Sequence, residues 1–223
     1  MKNQFQSLLF LTVPTIAALS LTTARAQDSR FYVKADAGGQ LTLDTHLKEF
    51  FGEPVGSAQV KFDPGARVGF VGGYQITDWF SAEGETGVMA NNISSIGRGS
   101  VDATFANVPF LLNARFQCPG KCRLTPYFGG GVGGAASVLD ADHITFGGTR
   151  MHGSDSTAVF AYQAFAGLSY KLNEQMALSL EYHYFATSGA DWEADRTFGT
   201  GTDHLKFAGT ETHAVSIAFT FRF

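Results

Sequence analysis

The chain has 223 residues, with 16 Lys and Arg against 20 Asp and Glu, for a net charge of −4. That balance excludes the basic patches nucleic-acid binding requires, and nothing beyond the N-terminal segment approaches the roughly 18 consecutive apolar residues of a helical membrane span. Glycine (26) and phenylalanine (21) are abundant while proline (6) is scarce, which favours strands over long helices.

The first element is "MKNQFQSLLFLTVPTIAALSLTTARAQ". Lys2 precedes an apolar run over residues 8–21, and Ala24-Arg25-Ala26 is a small-x-small cleavage site. The run is shorter than the roughly 20 residues a spanning helix needs. Residues 1–26 are therefore expected to be a secretory signal peptide, and 27–223 the mature domain. Removing Lys2 and Arg25 leaves 14 basic residues against 20 acidic ones.

Eight segments then alternate with a period of two, the period of a strand with two different faces. Phe31, Val33, Ala35 and Ala37 alternate with Tyr32, Lys34, Asp36 and Gly38. Ala66, Val68, Phe70 and Tyr74 oppose Arg67 and Val71, and Phe80, Ala82 and Val88 oppose Ser81, Glu83 and Glu85. Val108, Phe110, Leu112 and Phe116 oppose Asn107, Asn113 and Arg115. A glycine-rich segment over 124–138 keeps Pro126, Phe128 and Val132 on one parity, and Phe160, Tyr162, Leu168 and Tyr170 share a face in the next. Leu178, Leu180, Tyr182 and Tyr184 oppose Ser179, Glu181 and His183. The chain closes on "AVSIAFTFRF", where Val215, Ile217, Phe219, Phe221 and Phe223 alternate with small or polar residues and Arg222.

The connectors near 40–63, 90–103, 139–156 and 187–207 read as long and polar, and those near 75–79, 117–123 and 171–175 as short. Alternating long and short connections predict an up-and-down antiparallel barrel, with short periplasmic turns and longer extracellular loops if it crosses a membrane. A soluble barrel would turn its apolar face inward, and a membrane barrel turns it to lipid. The polar face carries Lys34, Arg67, Arg115 and Arg222 against Asp36, Glu83, Glu85 and Glu181. Such a balance is what a closed interior demands, since unpaired buried charge is costly. Phe and Tyr near the strand ends suit an aromatic girdle. The reading is an eight-stranded transmembrane barrel with that charge network, joined by His183, inside.

Cys118 and Cys122 in "CPGKC" are expected to form a loop-closing disulfide, given an exported context and a Pro-Gly turn. Two cysteines make a poor zinc site. Closure requires the last strand to pair with the first to its end.

"NVPFLLNARFQ", "LTPYFGGGVGG", "SLEYHYFATSG" and "HAVSIAFTFRF" resemble strands of the small OmpA-like and Opa-like outer-membrane barrels. The resemblance implies an outer-membrane location, contact with outer-membrane lipid and lipopolysaccharide, and a C-terminal sorting signal at Ile217, Phe219, Phe221 and Phe223 read by the barrel-assembly machinery. Because the chain stops at Phe223, the peptidoglycan-binding domain of full-length OmpA proteins is expected to be missing.

Catalysis would need a nucleophile beside a base. Ser188 follows His183 at an odd offset, so the two face opposite ways on a regular strand. His143, His152, His204 and His213, with Asp140, Asp142 and Asp155, show no regular metal-ligand spacing. "GGGVGG" lacks the pattern of a phosphate loop and opens no helix. No enzyme, metal or cofactor is expected. The expected role is structural or adhesive through four extracellular loops touching an extracellular ligand. A narrow pore is the alternative and a lipid A-modifying enzyme the second.

Overall fold

In the computed structural model, residues 30–50, 53–96, 101–120, 122–146, 149–196 and 202–223 are described. The expected signal peptide lies outside them. Among the described residues twelve strands form: β1 (Phe31–Thr42), β2 (Thr45–Phe50), β3 (Glu53–Phe62), β4 (Gly65–Gln75), β5 (Phe80–Ile96), β6 (Val101–Gln117), β7 (Leu124–Phe146), β8 (Thr149–Lys171), β9 (Met176–Thr187), β10 (Asp191–Arg196), β11 (Thr202–Phe207) and β12 (Glu211–Arg222).

They act as eight long strands, four of them interrupted at residues 43–44, 63–64, 188–190 and 208–210. Pro64 has no N–H to give a ladder, which accounts for one break. Backbone bonds still bridge the gaps: Leu43 N–H donates to the Glu211 carbonyl, Asp63 to Asn92, and Ala208 to His46.

β1 pairs antiparallel with β4 on one side and with β12 on the other. The ring runs β1-β4-β5-β6-β7-β8-β9-β12 and back to β1. Above the breaks the same neighbours persist, since β3 pairs with β5, β10 with β8, and β11 with β2. The chain is thus a closed, eight-stranded, antiparallel up-and-down barrel, as its pattern predicts.

The long polar connectors are a correction. Most of 40–63, 90–103, 139–156 and 187–207 is strand. Each such segment leaves the ring beside another doing the same, so every backbone finds a hydrogen-bonding neighbour and the ladder continues. β7 and β8 reach 23 residues each, about twice the 9–11 residues a membrane strand needs. The wall therefore rises well beyond one face of the bilayer.

That height explains a change of pattern within single strands. In the lower part of β5, Ala82 and Val88 are exposed while Ser81, Glu83 and Glu85 are buried. Higher up, Asn92 and Ser94 are exposed while Ile93 and Ile96 are buried. β6 repeats the switch: Phe110 and Leu112 face outward below, and Phe105 and Ala103 face inward above. The surroundings dictate it. Lipid selects apolar outer residues and water selects polar ones. The two barrel types that compete in the sequence share one wall.

Candidate functional site

The lumen holds two layers. The lower is charged. Arg67, 2% exposed, is its hub. Its Nε donates to Asp36 Oδ2 at 3.0 Å and its Nη2 to Glu85 Oε1 at 2.5 Å. Asn113 Nδ2 donates to the other oxygen of Glu85 at 2.7 Å, and Gln163 Nε2 also donates there. A second hub is Glu181, which accepts from Lys34 Nζ at 2.9 Å and from Tyr127 Oη at 2.5 Å, with His183 Nε2 at 3.0 Å. Nearer the short turns, Tyr32 Oη donates to Glu83 Oε1 at 2.5 Å, and Arg115 Nη1 stands 3.7 Å from the same oxygen. Arg222 makes no ion pair among the described residues and donates to Gln75 Oε1 at 2.6 Å.

Glycines on the inner wall make room for this layer. A Cβ at Gly69 would meet the Asp36 carboxylate, one at Gly73 the Tyr32 ring, and one at Gly131 the Asn113 amide. The space that glycine leaves is filled by side chains from neighbouring strands.

The upper layer is apolar and was missed in the sequence. Met89, Ile93, Ile96, Phe105, Leu139, Val159 and Phe185 form one buried cluster there. Ile93, Ile96 and Leu139 sit inside segments that read as polar loops, and Met89, Phe105, Val159 and Phe185 lie just outside them, on the inward face. Between the layers, Asn91 Oδ1 accepts from Gln40 at 2.5 Å and from Thr42 at 2.9 Å.

His183 is buried and bonded to Glu181, whereas Ser188 is exposed and its Oγ accepts from the Phe160 N–H. The base and the hydroxyl do not meet. Asp36, Glu181 and His183 bring ligand atoms within 4.8 Å of one another, but Arg67 and Lys34 already hold both carboxylates. Among His143, His152, His204 and His213 only the side chain of His213 is described; it stands in β12 rather than in a loop, its Nδ1 2.6 Å from Tyr182 Oη on the outer face. The side chains of His143, His152, His204 and Asp142 lie outside the described residues.

The profile of the outer membrane protein beta-barrel domain matches residues 10–223. The chain belongs to that family. Its location is the outer membrane. Similar solved structures include Neisserial surface protein A, at 15% identity and TM-score 0.53, covering 87% of this chain and 98% of that one. The outer membrane protein OprG of Pseudomonas aeruginosa gives 12% identity and TM-score 0.59, covering 87% and 97%. The outer membrane protein AlkL gives 16% and 0.51, covering 90% and 93%. These likenesses concern the fold. Among curated proteins none matches the chain.

For an outer-membrane barrel of this family the C-terminal strand carries particular interest. Ile217, Phe219 and Phe223 are exposed on the outer wall, and the Phe223 ring meets Phe221 edge-on at 5.5 Å. The Phe223 N–H donates to the Phe31 carbonyl, so the seam stays paired to its end. Phe223→Ser is expected to slow insertion in cells while leaving the denaturant midpoint of the refolded barrel nearly unchanged. Pulse-chase assembly alongside unfolding in detergent measures both, and normal assembly in cells would remove the sorting role.

The expected disulfide is a further correction, because Cys118 and Cys122 are exposed free thiols. Each is tied to the start of β7 rather than to the other. Cys118 N–H donates to the Pro126 carbonyl, and the Cys122 carbonyl accepts from Thr125 Oγ1.

Proposed function

We propose that this protein is a closed, rigid outer-membrane scaffold whose raised extracellular rim makes structural or adhesive surface contacts, without catalysis. The observation that carries the reading is the doubly filled lumen. A hydrogen-bonded charged layer and an apolar layer lie in series across an interior that eight strands leave barely wide enough for side chains. The outward apolar band meets membrane lipid and lipopolysaccharide, the C-terminal strand engages the barrel-assembly machinery, and the β2–β3 and β10–β11 hairpins carry the rim away from the bilayer. Rigid strands holding short tips suit recognition, because binding then loses little conformational entropy.

The experiment has two parts. In planar bilayers the refolded barrel is expected to show no steady conductance. Cells displaying the protein are expected to bind neighbouring cells or matrix-coated surfaces, and to lose that binding when the β10–β11 hairpin is replaced by a two-residue turn. Steady conductance would favour the narrow pore. Altered lipid A masses on expression would favour the enzyme.

A further inference from the structure

The charged layer is not uniform along the barrel axis. At mid-lumen, Lys34 and Arg67 face three carboxylates, those of Asp36, Glu85 and Glu181. Toward the short turns the inward charge shifts to positive: Arg115 stands 3.7 Å from Glu83, and Arg222 donates to Gln75 and makes no ion pair among the described residues. Glu83 Oε1 is shared, since Tyr32 already donates to it at 2.5 Å while Arg115 stays 3.7 Å away. The Tyr32 ring lies near both guanidiniums, 5.8 Å from Arg115 and 5.6 Å from Arg222. Arg115 is only 4% exposed, and its Nε has no partner among the described residues.

Both arginines line one cavity of about 530 Å³ that opens among the three short turns. Lys171 joins them on its wall, and the exposed carboxylates of Asp78 and Glu174 line the same cavity from the turns, so three cations face two carboxylates there. Arg222, half-buried, has a neutral amide as its hydrogen-bond partner. A guanidinium fork matches the oxygens of a phosphate, and partial desolvation strengthens the contact.

We propose that this mouth is an oxyanion-binding vestibule that takes a phosphate group through Arg222 and Arg115 from the periplasmic side. The phosphate comes either as the free ion or as the headgroup of an inner-leaflet phospholipid, because the turns sit beside the outward ring cluster of Trp79, Phe80 and Phe116. The inference is independent of any role of the opposite rim.

Cys118 lines the same cavity and is a free thiol, so it serves as the reporter. In a Cys122→Ser background, refolded in an uncharged maltoside detergent, Cys118 is labelled with the anionic sulfonatoethyl and the cationic trimethylammonioethyl methanethiosulfonates. A focused positive potential should make the anionic reagent roughly tenfold faster. Arg222→Gln should collapse that ratio, and Arg222→Lys, which keeps the charge, should retain most of it. Inorganic phosphate should slow the anionic reagent saturably, beyond chloride at matched ionic strength. Stronger competition by short-chain phosphatidylglycerol than by phosphate assigns the headgroup, and the reverse assigns the free ion. Equal rates for the two reagents, a ratio unchanged in Arg222→Gln, or phosphate acting no better than chloride would each overturn the proposal.

Discussion

Arg67→Ala is expected to lower the unfolding free energy of the barrel by about 3–5 kcal/mol, the cost of removing one partner from a buried charge cluster. Arg67 lies between two carboxylates, Asp36 and Glu85, each within 3.0 Å of its guanidinium. Truncation leaves both without their main cation in a lumen where Lys34 is already engaged by Glu181. Arg67→Lys should recover part of the loss, since one ammonium cannot reproduce a fork that spans two carboxylates. Denaturant unfolding in detergent or lipid measures the change. Leu112→Ala is the control, as that side chain is 76% exposed on the lipid face. A loss for Arg67→Ala no larger than for Leu112→Ala would mean that water or ions replace the guanidinium freely, and that the charged layer is not a packed plug.

Phe185→Ala should cost a comparable amount, about 3–5 kcal/mol, for a different reason. Phe185 is 0% exposed and belongs to the apolar layer with Phe105, Val159 and Leu139. Truncation removes a ring from a packed interior and leaves a space that fixed barrel walls cannot close. The same measurement applies, with planar-bilayer current as a second readout. The expected result is a lower unfolding midpoint with no steady current, because the charged layer below still closes the lumen. A small stability change would show that the upper interior is loosely filled. The two substitutions lie in separate layers, so their effects should be close to additive in the double variant.

Much of the lower barrel is legible in the residues themselves. The parity that sets Phe31, Val33 and Ala35 against Tyr32, Lys34 and Asp36 is local, and the described burial follows the same alternation. What parity cannot say is who meets whom. Arg67 and Asp36 lie 31 positions apart, Lys34 and Glu181 147 apart. Such pairs depend on strand register and on which walls face across the lumen. Arg222 shares its strand's position near the inner charges, yet its partner is Gln75, because at the mouth the nearest inward carboxylate is held by Tyr32 and Arg115. The thiols of Cys118 and Cys122 teach a similar lesson, since sequence spacing suggested a bond that the ladder to β7 does not make.

The fold class, the number of long strands, the lipid-facing parity and the seam between first and last strands can all be read from the residues alone. Each of these rests on a period-two pattern that any segment of about ten residues carries within itself. The height of the wall emerges from strand assembly instead. Residues 90–103 and 139–156 look polar because their outer face meets water, and their inward Ile93, Ile96 and Leu139 gain meaning only once eight such strands stand side by side and enclose them. Strand pairing depends on neighbours distant in sequence. The same backbone that would be a solvated loop alone becomes wall when the adjacent strand offers its N–H and C=O groups. The split of charge between mid-lumen and mouth arises in the same way, from register rather than from composition.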